Sequence, residues 1–238
     1  MLVKTYLWIE DREGKASYKF WTTFMHEVCP EVLVESKTNN RELVKAVKGL
    51  NDKENRYIIA LDNSFDNQQV YIEQKMLKNM ADKKDNVFLL DLICFEYTLL
   101  EFNKLIDWIY APEDEFREKR KGVITAREKL VQIINSGEMN YKAIQEIIDY
   151  DRSLKNHNIE QLSAKLLFDL TRNTGFEVSK GDLGVCWRQN CCEWTDRQKD
   201  DICGLETTRL SLNNKMKCIY YETSIHRNFE SIDLEVLA

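Results

Sequence analysis

Leu2-Val3-Lys4-Thr5-Tyr6-Leu7-Trp8-Ile9-Glu10-Asp11 opens the chain with aliphatic and aromatic residues that stop abruptly on two acids. Such a run reads as a buried β-strand, because bulky side chains of this kind fit a pleated surface packed on both faces. The same punctuation recurs where Arg56–Leu61 ends on Asp62 and where Val87–Leu90 ends on Asp91. Between these runs the apolar residues change to helical spacing. Phe20, Trp21, Phe24 and Val28 share a face within Ser17–Val28; Pro30 ends that helix, and Val32-Leu33-Val34 forms another short strand. Leu43, Val44, Val47 and Leu50 follow Asn39 or Asn40 as cap, Val70, Ile72, Met76 and Met80 mark the next helix, and Phe95–Tyr110 reads as a helix after the fourth strand. This alternation with short connections predicts the α/β class, a parallel sheet flanked by helices.

The acids at the strand ends carry the functional argument. In an open parallel sheet the carboxyl ends of the strands lie along one edge, and ligands bind in the crevice there. Carboxylates gathered at such an edge call for a neutralising charge. A hard divalent cation such as Mg²⁺ supplies it, prefers oxygen ligands and often arrives with a phosphate. The candidates are Glu10 and Asp11 after strand one, Asp62 and Asp66 after strand three, and Asp91 after strand four with Glu96 in the following helix. Helix capping is the competing explanation, because backbone N–H groups and the helix dipole favour acids in first turns. Asp66 fits it well, since Asn67-Gln68-Gln69 begins a helix, whereas Glu10, Asp11 and Asp62 precede loops of several residues. Lys15, in the loop after strand one, is a candidate phosphate-holding residue or a solvated surface lysine. No Gly-rich phosphate loop is present, which argues against an ATPase.

The 238 residues, 43% of them hydrophobic, suffice for one large domain or a domain with an appendage. Pro112, followed by Glu113-Asp114-Glu115, is the natural boundary. We expect an α/β domain over residues 1–112, an α-helical subdomain over 113–176 and a small Cys-rich lobe over 177–238. In that lobe Arg209–Leu212 and Lys217–Tyr221 flank Asn213-Asn214 as a β-hairpin would. The net charge of −6 disfavours a protein that coats nucleic acid by bulk attraction but leaves a nucleic-acid enzyme open. No apolar run is long enough for a membrane helix, the N-terminus lacks the pattern of a signal peptide, and a cytoplasmic location with reduced cysteines is expected. Cys186, Cys191, Cys192 and Cys203 form a candidate zinc set, although Cys191 and Cys192 are adjacent and a second knuckle is missing; buried thiols or redox sensing are the alternatives. Trp187 and Trp194, near Arg188 and Arg197, could stack on bases or form the core of the lobe.

Leu7-Trp8-Ile9-Glu10, with the loop and helix start at Ser17–Trp21 after it, resembles the opening of a Toprim domain, in which a glutamate ends strand one. Ala60-Leu61-Asp62-Asn63-Ser64-Phe65-Asp66 is similar to the later Asp-x-Asp element, and Asp91-Leu92-Ile93-Cys94-Phe95-Glu96 resembles the corresponding segment in Toprim effectors of bacterial anti-phage systems. The likeness covers roughly residues 2–110. It implies a nuclease of the OLD or PARIS type, cutting DNA or RNA (tRNA included) with Mg²⁺ or Mn²⁺. Glu10 and Asp62 would then be catalytic metal ligands, Asp91 and Glu96 their neighbours, and control would come from a regulatory partner protein or self-assembly. Ser64 stands where the family has its second aspartate, so that either Asp66 substitutes and Ser64 contacts substrate, or the domain is a catalytically silent module that binds protein or nucleic acid. A receiver-like domain with Asp62 as phosphoacceptor uses the same layout, but no fifth strand ending in lysine is evident.

Overall fold

The computed structural model describes residues 3–137, 140–148, 151–192 and 203–236. Strands β1 (Thr5–Ile9), β2 (Val32–Ser36), β3 (Arg56–Ala60) and β4 (Val87–Leu89) form one parallel sheet in the order β2-β1-β3-β4. Helices α1 (Ala16–Val28), α2 (Asn40–Gly49), α3 (Gln68–Ala81) and α4 (Phe95–Glu101) follow the strands in turn, giving the expected α/β alternation. Side chains alternate across a strand, so β1 and β3 feed two cores. Leu7, Ile9, Ile58 and Ala60 join the face of α1, while Trp8, Tyr57, Ile59 and Leu61 pack with Leu43 and Val47 of α2 and Leu77 of α3. From β1 the chain moves outward to β2, then crosses back to place β3 on the other side of β1. That reversal is a topological switch point, where a crevice opens beyond the strand ends.

The larger core continues from α1 and α4 into the rest of the chain. Helices α5 (Leu105–Ile109), α6 (Glu115–Lys119), α7 (Lys121–Asn135), α8 (Tyr141–Ile147) and α9 (Ile159–Thr171) follow, and α9 packs on α4 and α7. Asn158 caps α9 through a reciprocal box with Gln161, as its sequence anticipates. Phe95–Tyr110 is not one helix. α4 stops at Glu101 and α5 resumes at Leu105, and the buried Arg127 of α7 takes the orphan carbonyls, its Nε donating to Leu100 O at 2.6 Å and its Nη2 to Phe102 O at 2.9 Å. Arg120 serves the end of α9 in the same way, donating to Leu170 O at 2.6 Å and to Tyr110 Oη at 3.1 Å. On α3 only Val70 and Leu77 are buried, and Ile72 and Met76 face outward, because the helix meets α2 and β4 along a narrow edge.

The tail holds a helix where a hairpin was expected. α10 (Leu212–Glu222) runs straight through Asn213-Asn214, and α11 (Ser224–Ser231) follows it. The reason is the spacing of Met216, Ile219 and Tyr220, which gives one buried helical face that packs on α1, where Tyr220 meets Phe24. Ser211 caps the helix, and Asn213 Nδ2 donates to Glu27 O at the end of α1 at 2.7 Å. α11 then returns to the sheet. Asn228 Oδ1 accepts from Asp91 N at 2.6 Å and its Nδ2 donates to Asp91 O at 3.2 Å, while Glu101 accepts from Ser224 N at 2.6 Å at the start of α11. No helix among the described residues is long and apolar enough to cross a membrane.

Arg127→Met keeps bulk in the core but strands two buried carbonyls, each costing about 1–3 kcal/mol. Chemical denaturation should show a loss of about 2–4 kcal/mol, whereas substitution of the exposed Lys45 should leave stability unchanged.

Candidate functional site

The switch point fixes the site. Ile9 lies opposite Ala60 in the parallel register, so the segments leaving β1 and β3 emerge side by side. Asp62 continues the alternation of Ile58 and Ala60 and therefore sits on the α1 face. There its carboxyl lies beside that of Glu10, close enough for each to act on the other's ionisation. Both are half-buried and both line a cavity of about 490 Å³. Glu96, in the first turn of α4, and Glu160, in the first turn of α9, line the same cavity, together with Asp11, Lys15, Lys165 and Lys180.

Crowded acids in a desolvated site resist ionisation. Burial, reinforced by Asp11 and Glu160, pushes the Glu10 carboxyl up to about 8. Burial and the nearby Glu10 raise Asp62 well above the ordinary carboxylate range. Burial also lifts Glu96 to about 7 and raises Glu160, which Lys180 partly offsets. Both members of the Glu10–Asp62 pair are thus shifted toward the neutral form. Asp11 is held apart: its carboxylate accepts from Ser17 Oγ, and its carbonyl accepts from Ser36 Oγ at 2.6 Å.

Several acids marked by the sequence stand elsewhere. Asp91 is exposed and faces the other side of the sheet, because the β3–β4 register places it beside Leu61 rather than beside Asp62. It lines a second cavity with Lys78 and Lys84, and it accepts from Asn63 Nδ2 at 2.8 Å. Asp66 caps a helix, but not the one that follows it. Asn67 caps α3, while Asp66 Oδ2 accepts from Ile159 N at 2.9 Å and so fastens the start of α9. Ser64 has no exposed surface and donates to Asp66 Oδ1 at 3.1 Å, so it supports that fastening and does not line the cavity. Glu160 was not marked by the sequence, and nothing in its spacing pointed to the sheet edge; only the docking of α9 brings it in.

The donor set fits a hard cation in one form. Among the described residues no three His, Cys, Asp or Glu side chains are gathered as a metal cage. Mg²⁺, however, is commonly held by one or two carboxylates, with waters and substrate phosphate filling the remaining positions. Glu10 and Asp62 supply such a pair, and a cation's positive charge would offset the mutual repulsion of their ionised forms. The four cysteines of the candidate zinc set, Cys186, Cys191, Cys192 and Cys203, meet around one small cavity of about 10 Å³, and none of the seven cysteines is in a disulfide. Trp187 is fully buried with its Nε1 donating to Phe176 O at 2.8 Å, so it is core; Trp194 and Arg197 lie outside the described residues. The sheet has four strands among the described residues, without the fifth that a receiver domain requires. Compared with protein-family models, curated proteins and solved structures, the chain matches none.

A carboxyl whose value is raised in the fold stabilises the fold while protonated and loses that contribution as pH rises through the folded value. In EDTA the thermal midpoint should therefore fall between pH 4.5 and about 8, the window set by Glu10, with Glu96 titrating inside it at about 7. Mg²⁺ or Mn²⁺ should raise the midpoint most at the alkaline end. Differential scanning fluorimetry that shows no metal effect at any pH would rule out the pair as a cation site.

Proposed function

We propose that this chain is a Toprim-like, Mg²⁺- or Mn²⁺-dependent nuclease that cuts phosphodiester bonds of DNA or RNA. The observation that carries the reading is the half-buried Glu10–Asp62 pair, side by side in one cavity at the switch point of a parallel sheet, on the two positions that the Toprim resemblance marks. Support also comes from the mixed wall around it. Lys15 and Lys180 bring positive charge to an acidic cavity, as a site for a polyanion with a cation requires.

In this reading Glu10 and Asp62, in their ionised forms, would hold the ion through their carboxylate oxygens. A divalent cation bound there supplies polarisation of the scissile phosphate and a lowered pKa for an attacking water. Lys15, at the N-terminal end of α1, offsets charge on a non-bridging phosphate oxygen. Glu96 and Glu160 add carboxylate oxygens to which water in the cavity can hydrogen-bond, and general base is the alternative role for Glu10 to that of ligand. The role as an effector of prokaryotic anti-phage defence, held in check by a partner protein or by assembly, comes from the Toprim resemblance.

A second reading, a silent module that binds nucleic acid or protein through the same cavity, draws on the lack of a third gathered ligand among the described residues. Incubation with plasmid and with total tRNA in Mg²⁺, Mn²⁺ or EDTA separates the two. The wild type should cut in either metal and not in EDTA. Glu10→Ala and Asp62→Ala should each lower cleavage by at least about 100-fold, and Asp91→Ala should leave it unchanged. Equal cleavage by all four proteins would remove the site assignment, and metal-independent binding without cleavage would favour the silent module.

A further inference from the structure

The cavity that holds the acidic pair is closed on one side by the helical region, and this bears on what can enter it. Its floor is Glu10, Asp62 and Glu96, and the opposite wall is α9 with residues 178–180. That wall is firmly placed. Asp66 holds the first N–H of α9, Asn158 and Gln161 cap the helix reciprocally, and Leu166, Leu167 and Leu170 are wholly buried. The capping box is internal to α9, but moving the helix aside to admit a broad ligand would break the Asp66–Ile159 bond and uncover these leucines.

The wall also has a chemical pattern. Ala164, Phe168 and Val178 make an apolar strip, whereas Lys15 and Lys180 bring ammonium groups; Lys165, which also lines the cavity, is paired to Asp169. Phe168 is half-buried, so its ring has surface to offer. An acidic floor for a cation, ammonium groups for phosphate oxygens and an aromatic face for a base together match one nucleotide unit. The volume of about 490 Å³ falls within the range of small-molecule pockets, roughly 300–1,000 Å³. A base-paired duplex cannot enter such a space, and a phosphate can reach the floor only if its nucleotide has left the stack.

We infer that this cavity seats a single unpaired nucleotide against Phe168, which makes single-stranded or locally unpaired nucleic acid the substrate of the site. The cleavage half of this inference rests on the nuclease reading; the binding half does not. The test uses fluorescein-labelled RNA and DNA oligonucleotides in three forms: single-stranded, fully paired, and paired with a central unpaired loop. Fluorescence anisotropy in Ca²⁺ reports binding, and gel analysis in Mg²⁺ or Mn²⁺ reports cleavage.

Single strands and looped duplexes should bind more tightly than the full duplex. Phe168→Ala should weaken binding of single strands by at least about fivefold, while Phe168→Tyr, which keeps the ring, should preserve it. The thermal midpoint of each variant identifies any loss that comes from misfolding. Duplex bound or cut as well as single strands would overturn the inference, as would no binding of single strands or binding that is indifferent to Phe168→Ala. Preferential binding of single strands without cleavage in any metal would sustain the unpaired-nucleotide seat and sink the hydrolytic reading alone.

Discussion

Two carboxyls held against each other in a partly desolvated crevice are an expense that a fold tolerates only with compensation. In this chain the compensation is local: both carboxyls shift toward the neutral form, and lysines stand on the wall beyond them. The arrangement follows from topology. A parallel sheet that reverses direction between β1 and β3 brings together two strand exits that a simple sequential order would separate. Trp8 and Leu61 pack on one side of those exits, Ile9 and Ala60 on the other, so the acids cannot relax into solvent by shifting the strands. The crevice stays charged and narrow because the hydrophobic layers on both faces hold it so.

The helical region is as much a part of the site as the sheet. Asp66, which leaves the sheet after β3, spends its carboxylate on the backbone of Ile159, and this single bond sets where Glu160 comes to rest. Ser64 lies beneath and steadies Asp66. Ser64 thus supports the scaffold and does not line the cavity. One continuous core links the sheet to α9 and α10, so the crevice is complete only with those helices docked.

How much of this the sequence disclosed depended on the range of the forces involved. Strands, helices and their order were legible because they rest on local periodicity and on caps such as Asn39 and Asn158. Glu10 and Asp62 were legible because strand ends of a parallel sheet share an edge. Asp91 misled because its face depends on a register with β3 that no local pattern states. Asp66 misled because its capping partner lies on a distant helix, and Glu160 was invisible for the same reason. Asn213-Asn214 looked like a turn, yet Met216, Ile219 and Tyr220 had a surface on α1 to bury against, and tertiary packing overrode the dipeptide.

Strand β4 is only three residues long, and the backbone just beyond it is held on both its N–H and its carbonyl by the side-chain amide of Asn228. The clasp joins positions 137 residues apart in sequence, so the margin beside Asp91 is finished only when α11 docks. Without it these backbone groups would form an open β-edge, the kind of surface that invites wrongful pairing with other chains.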